Sequence, residues 1–422
     1  MKVCIVSAPI NLSTGFAIVA RNIALGLKKL GYDVSAIGLT QPHGPEIYYG
    51  IQSLPILATN LDEMSQLIMN IRDSDPDIVL NIFQCDVPHF IEHAMSFDSV
   101  NRLNELAGRK TNIKGFWYTP VESLGLGNSI GVLKEFIRLG GKVVSQCKWG
   151  ENEMKKENIE SKMIYHGVDD KKFYVMDLDN KEIIRLINVT NCGYGNCKIL
   201  RYGNEETIMA NELLNIHKGK FVFLVVAANI GVRKRIERAM KAYAIFLRNG
   251  GQQLKDRTLL HIHTEPFNPD GVKVLKIAER LGIERNTIFS YGRWKSGWTD
   301  TEMSILYNSS SCHLSASSGE GFGIGTLESM ACGIPTVGPN NTSFIELIGD
   351  KRGILVGGDY QYIINDTERF LVNEEELAKA MNKMYNMKEN EYAEYRKNCL
   401  EFAKIYTWEK ICLEWDKLFK ET

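Results

Sequence analysis

Nothing in the 422 residues of this chain reads as a membrane span. A helical span needs about 20 apolar residues. Runs such as FVFLVVAA, from Phe221 to Ala228, are far shorter. The N-terminus, MKVCIVSAPI, has too little apolar length for a signal peptide and reads as a buried strand. A cytoplasmic protein is expected, with peripheral membrane contact left open. Charge of one sign is lacking too: 50 Lys and Arg face 51 Asp and Glu. That balance argues against clamping nucleic acid by bulk charge, though a local basic groove stays open. There is no GxGxxG, so no dinucleotide fingerprint. The nine cysteines are scattered, and Cys4, Cys147, Cys312 and Cys332 sit in apolar contexts, as reduced core residues do. Cys192 and Cys197, in the glycine-flanked TNCGYGNC, are the exception. A plain loop is favoured there over a metal or a disulfide.

What is present is a repeating alternation of apolar runs and amphipathic stretches. Length alone allows two or three domains at roughly 100–200 residues each. KVCIV, DVSAIGL, DIVLNIF, IKGFWY, KVVSQ and KMIY read as strands in the first half. A second series, FVFLVV, TLLHIHT, TIFSYG, CHLSA, PTVG and GILVG, starts at Phe221. Continuous apolar runs of this kind suit strands buried on both faces. Helices are expected between them: residues 16–30 place Phe16, Val19, Ala20, Ile23, Leu27 and Leu30 on one face. The pattern predicts an α/β fold of two Rossmann-like domains with parallel sheets facing a central cleft. The expected boundaries are 1–173 and 219–404, with residues 174–218 as an atypical linker or insertion and about 405–422 as a helix packing back on the first domain. Ligands in such folds bind beyond the carboxyl ends of the strands.

The most informative segment is SASSGEGFGIGTLESMACGIP, Ser315 to Pro335, placed after a strand and opening a helix near Gly323. Gly319, Gly321, Gly323 and Gly325 let backbone approach a ligand closely. The helix end offers unpaired N–H groups to an anion. Glu320 and Glu328 suit hydroxyls, because carboxylates accept hydrogen bonds from them. The string, a glutamate followed by seven residues and a second glutamate, resembles the donor site of family 4 retaining glycosyltransferases of the GT-B type. The resemblance implies that Glu320 contacts the transferred sugar and Glu328 the ribose. The backbone from Gly321 through Phe322 and Gly323 to Ile324 would line sugar and diphosphate.

NIGVRKRIERAMKAY supplies the second element. Arg233, Lys234 and Arg235 stand where a helix begins, a place the helix dipole makes unfavourable for cations unless an anion is bound. The resemblance implies an Arg and a Lys that neutralise the departing diphosphate. Lys234 matches the lysine; the arginine's common place is occupied by Asn229, and Arg233 is its substitute. Gly15, in the loop after the first strand, resembles the family's N-terminal loop, which lies against the donor phosphates. On the acceptor side His89, Tyr118 and Glu122 are polar candidates, each equally readable as a packed loop residue. Asp73–Asp77, DSDPD, mimics a carboxylate cluster but suits a helix end and strand start. His261 and His263 share a face of one strand, as core or cleft lining rather than metal ligands. Trp294 and Trp298 suit either stacking on a base or sugar, or packing.

The function implied is metal-independent, retaining transfer of a hexose-type sugar from a UDP- or GDP-sugar, with Lys234, Arg233 and Glu320 at the chemistry. No cofactor is expected beyond the nucleotide-sugar donor. The acceptor is open among glycan, lipid, protein and nucleic acid. Two alternatives are carried: a sugar-nucleotide epimerase of the same fold, and a non-catalytic sugar-nucleotide or glycan-binding protein.

Overall fold

A computed structural model describes residues 1–39, 46–56, 63–85, 88–109, 112–178, 197–201, 204–208, 210–292, 298–364 and 366–422. Two compact α/β units result. The first comprises Met1–Gly167, Tyr362–Thr367 and Trp408–Thr422; the second comprises Val168–Gln361 and Glu368–Thr407.

The first unit is built on eight strands: β1 (Lys2–Ser7), β2 (Asp33–Gly38), β3 (Glu46–Tyr48), β4 (Ile51–Pro55), β5 (Ile78–Ile82), β6 (Lys114–Thr119), β7 (Lys142–Ser145) and β8 (Ser161–Met163). Their order is β3-β4-β2-β1-β5-β6-β7-β8, parallel except for β3 against β4. The chain runs outward from β1 through β2 to β4, then returns to start again at β5. The sheet therefore reverses direction between β1 and β5, the place where such sheets open a crevice at their carboxyl edge. Trp117 and Phe97 both meet Phe136 edge-on at 5.4 Å in the core. The closing helix, Trp408–Lys420, completes this unit. Trp415 packs on Tyr118 at 5.0 Å and Phe419 on Phe116 at 5.0 Å. Gly26 is required by that packing, since a Cβ there would collide with Cys412 Sγ.

The second unit repeats the design with β9 (Cys197–Arg201), β10 (Asn204–Ile208), β11 (Phe221–Val226), β12 (Thr258–His263), β13 (Thr287–Tyr291), β14 (Cys312–Leu314), β15 (Thr336–Pro339) and β16 (Gly353–Val356). The order is β10-β9-β13-β12-β11-β14-β15-β16. The reversal now lies between β11 and β14. Part of the 174–218 segment, expected as an atypical linker or insertion, is sheet: β9 and β10 form an antiparallel hairpin that caps the edge at β13. A further two-stranded sheet, β17 (Gly358–Ile364) with β18 (Thr367–Val372), was not anticipated either.

Seven cysteines, at 4, 85, 147, 312, 332, 399 and 412, are buried and free, as reduced core residues should be. Cys192 lies outside the described residues, and Cys197 is described only as part of β9. Among the described residues no helix is long and apolar enough to cross a membrane, and no cluster of three His, Cys, Asp or Glu suits a metal.

Candidate functional site

The reversal between β11 and β14 brings two loops together. The loop after β11 carries Arg233 and Lys234. The loop after β14 carries Ser317 to Glu320 and leads into the helix Ile324–Ala331. Backbone and hydroxyl contacts lock the loops to each other: Ser318 N–H and Oγ–H both donate to the Arg233 carbonyl, at 2.8 and 3.0 Å. A third loop, after β15, supports them from behind. Asn341 Nδ2 donates to the Ser318 carbonyl (3.1 Å), Thr342 Oγ1 accepts from Glu320 N–H (3.1 Å), and Ser343 Oγ donates to the Glu320 carbonyl (3.0 Å).

Held this way, Glu320 meets both cations. Arg233 Nη1 donates to Glu320 Oε2 at 2.9 Å and to the Gly319 carbonyl at 2.8 Å. Lys234 Nζ donates to Glu320 Oε1 at 2.5 Å. Burial by itself would raise the Glu320 carboxyl, but Lys234 and Arg233 outweigh it and hold the pKa at about 2. Glu320 is thus an obligate acceptor, and both cations point into one place. The anion that their position ahead of the helix Ile236–Arg257 called for is, in this structure, Glu320 itself.

Gly323 explains the glycine-rich turn. Its φ of +96° lies in the left-handed region, and it is the residue from which the helix Ile324–Ala331 starts. Phe322 is buried. Glu328, on that helix, accepts a hydrogen bond from Tyr307 Oη at 2.9 Å. Burial pushes the Glu328 carboxyl up to about 8, against the opposing effect of the tyrosine hydrogen bond.

Asn229, where the family pattern commonly has arginine, has a different occupation. Its Nδ2 donates to the carbonyls of Glu265 (3.2 Å) and Val272 (3.0 Å), while Oδ1 accepts from Val272 N–H (2.9 Å). It clamps the β11 loop to the segment after β12. Gly271 leaves it room, since a Cβ there would run into Asn229.

The remaining candidates separate clearly. Gly15 opens the helix Gly15–Lys29 after β1, with nothing within 4 Å of where a Cβ would stand. His89 lies in the helix Pro88–Leu106 after β5, and its side chain is outside the described residues. Glu122, after β6, accepts from Gln84 Nε2 at 3.2 Å. These three lie beyond the carboxyl ends of strands that neighbour one another in the first sheet. Tyr118 corrects the expectation of a polar group open to an acceptor: it is fully buried and donates to the Ile164 carbonyl at 2.6 Å. His261 and His263 do share a face, each within hydrogen-bond distance of Ser290 Oγ, at 2.7 and 2.9 Å, and His217 Nε2 lies 2.9 Å from His261 Nδ1. Burial lowers His217 and His263 to about 4, so they are neutral core groups at pH 7. Trp298 is buried and donates to the Tyr291 carbonyl (3.0 Å), which is packing; Trp294 lies outside the described residues. Asp77 accepts from Lys2 N–H at 2.8 Å, tying the DSDPD stretch to β1.

Sequence reasoning missed Tyr307, Asn341, Thr342 and Ser343. The first lies in DTEMSILYN, a helix that buries polar and apolar residues alike, and the others in NNTS, a string with no chemical signature of its own.

Known proteins resemble this chain in sequence and in fold. Residues 211–399 match the family model described as Glycosyl transferases group 1. The serotype-specific mannosyltransferase WbdA of Escherichia coli is 31% identical over 152 residues, 36% of this chain and 18% of that protein. The chain thus spans less than a fifth of the curated relatives it matches. Among solved structures, sucrose-phosphate synthase from Thermosynechococcus elongatus superposes with a TM-score of 0.70 at 15% identity, covering 100% of this chain and 98% of that one. HepE from Anabaena, in complex with UDP and glucose, gives 0.66 at 14% identity, covering 100% of both chains. The fold matches that of solved GT-B glycosyltransferase structures, and residues 211–399 match the glycosyl transferases group 1 model.

Proposed function

We propose that this protein transfers a hexose from a nucleotide-sugar to an acceptor hydroxyl with retention of configuration, without a metal. The observation that carries the reading is the ion triad of Arg233, Lys234 and Glu320 at the sheet reversal, beside a helix N-terminus. Two cations at this point are what a departing diphosphate needs, and preorganised charge of this kind is the largest single source of rate enhancement in many enzymes. With donor bound, Arg233 and Lys234 turn to the diphosphate, and the helix Ile324–Ala331 adds its dipole. Glu320 then accepts from hydroxyls of the sugar, and Glu328 from the ribose. The acceptor oxygen bonds to the anomeric carbon on the face the diphosphate leaves. The bond from that carbon to the phosphate oxygen breaks, and a phosphate oxygen takes the acceptor proton. Gly15 is proposed to lie against the phosphates; His89 and Glu122 are candidates for the acceptor side.

The relatives suggest which donors to try first. One is named a mannosyltransferase and another was solved with UDP and glucose. Calorimetric titration with UDP-glucose and GDP-mannose, then transfer to a glycan array with the better donor, tests the reading. Glu320→Ala and Lys234→Ala should each slow transfer by ~100-fold or more, the scale of losing one preorganised charge contact. Near-normal transfer in both variants would sink the assignment. NMR of the product's anomeric proton checks retention. Incubation with UDP-N-acetylglucosamine and no acceptor tests for epimerisation.

A further inference from the structure

We infer that Tyr307 is a positioning residue for donor binding: it holds one oxygen of Glu328 so that the other is presented to the ribose hydroxyls of the nucleotide. This rests on the assignment of Glu328 to the ribose made above.

Three features of the packing carry it. Tyr307 is fully buried near the end of the helix Asp300–Asn308, and among the described residues its hydroxyl bonds to Glu328 Oε2 alone, at 2.9 Å. Its ring is wedged by Phe173 at 6.0 Å and His313 at 6.4 Å, so the hydroxyl cannot swing away. Gly325 makes room for it: a Cβ there would stand 3.1 Å from Tyr307 Oη and 4.0 Å from Val226 Cβ. A glycine one turn before Glu328 thus admits the phenol to the same helix face as the carboxylate.

Among the described residues Tyr307 is the sole side-chain donor to the Glu328 carboxylate. No donor to Oε1 is found among the described residues, so that oxygen is open to a ligand's hydroxyls. A ribose with two neighbouring hydroxyls is a double donor, and it would complete the carboxylate's shell. It would also reverse the charge state. Empty, Glu328 stays protonated up to a pKa of about 8; hydroxyl donors favour the ionised form. Binding should then release a proton, and affinity should rise with pH until Glu328 is ionised in the free protein. The charged and titratable groups around Glu328 leave that window to it. Asp300, paired with Lys172 at 2.6 Å, raises it from the far end of the Tyr307 helix. On its own helix Cys332 is pushed up to about 12 by burial, and Tyr307 itself is raised well above the usual phenol range. His313 is lowered to about 4 by burial.

The test is a set of calorimetric titrations from pH 6.5 to 9.5 with UDP-glucose and GDP-mannose, and with the 2′,3′-dideoxy form of whichever binds. Tyr307→Phe keeps the ring and removes the hydroxyl. It should weaken the ribose form by about tenfold to a hundredfold, the range for a hydrogen bond to a charged group. It should leave the dideoxy form unchanged and move the pH rise upward, because the lost hydrogen bond was lowering the Glu328 pKa. Glu328→Gln should abolish the pH rise. Equal weakening of both forms by Tyr307→Phe would make the tyrosine a packing residue and overturn the inference. So would wild-type affinity in Tyr307→Phe, with Glu328→Ala impaired, while the ribose assignment would stand. A flat pH profile in the wild-type protein overturns the inference with no variant needed. Failure of Glu328→Ala to weaken the ribose form overturns the assignment beneath it.

Discussion

Glu320 and Glu328 belong to one loop and helix, both are sheltered from solvent, and they end in opposite charge states. Glu320 is held at about 2 and Glu328 is pushed up to about 8. Burial acts the same way on both. What differs is the partner: two cations for Glu320, a neutral phenol for Glu328. Depth alone therefore does not set a carboxylate's role; the charge across from it does. Glu320 is ionised before any ligand arrives, and in the proposed reaction it waits with the cations already gathered. In the same proposal Glu328, protonated in the free protein below about pH 8, ionises when hydroxyls come to meet it.

Neutral isosteres should break this contrast in opposite directions. The Glu328 pKa is raised, so its neutral form stabilises the fold fully below the unfolded value of about 4.5, and that contribution is lost as pH rises through about 8. Glu328→Gln should thus be more stable than wild type at pH 9 by about 3 kcal/mol, from ~1.4 kcal/mol per pKa unit with a discount for partial exposure. The gain should vanish by pH 4.5. For Glu320 the pKa is lowered, so its stabilisation is present above about 4.5 and lost as pH falls toward about 2. Glu320→Gln should lose about 2–3 kcal/mol at pH 7 and approach wild type in acid. Urea melts at pH 4, 7 and 9 check both; variants that move in the same direction at pH 9 would contradict the contrast.

Asn229 gives a more local way to sharpen it. Asn229→Ala strands the backbone groups of Val272 and Glu265 and should cost about 2 kcal/mol. It also loosens the loop that carries Arg233. The Glu320 carboxyl should then titrate at higher pH while Glu328 stays where it was, as followed by carboxyl NMR. A shift at Glu328 alone would show that the two sites do not divide along these loops.

How much of this could be read beforehand follows from the same physics. Strands such as FVFLVV and TIFSY are buried on both faces and announce themselves as apolar runs. The glycine-flanked Glu320 and the basic turn at Arg233 and Lys234 stood out because cations at a helix start call for an anion close by. The hairpin of β9 and β10 was not, since CKILR and NEETI lie at a sheet edge and carry charge where central strands carry valine. The pairing of Tyr307 with Glu328 was hidden for another reason. It joins two helices, and nothing in DTEMSILYN distinguishes a phenol that packs from one that donates. Asn229 was legible as a departure from the family pattern, but its clamp on Val272 is a tertiary contact, visible only once the loops are in place.

Tyr118 supplies the smallest effect and the control for the whole comparison. Like Tyr307 it is fully buried with its hydroxyl committed, but to the Ile164 carbonyl rather than to a carboxylate. Tyr118→Phe leaves that carbonyl unpaired and should cost about 1 kcal/mol. No titrating group depends on the bond, so the pH profile of donor affinity should not move, and neither should transfer. If Tyr118→Phe shifted the profile as Tyr307→Phe is expected to, general loosening of the fold would explain both. Separate responses would mean that the second phenol acts through the one carboxylate it touches.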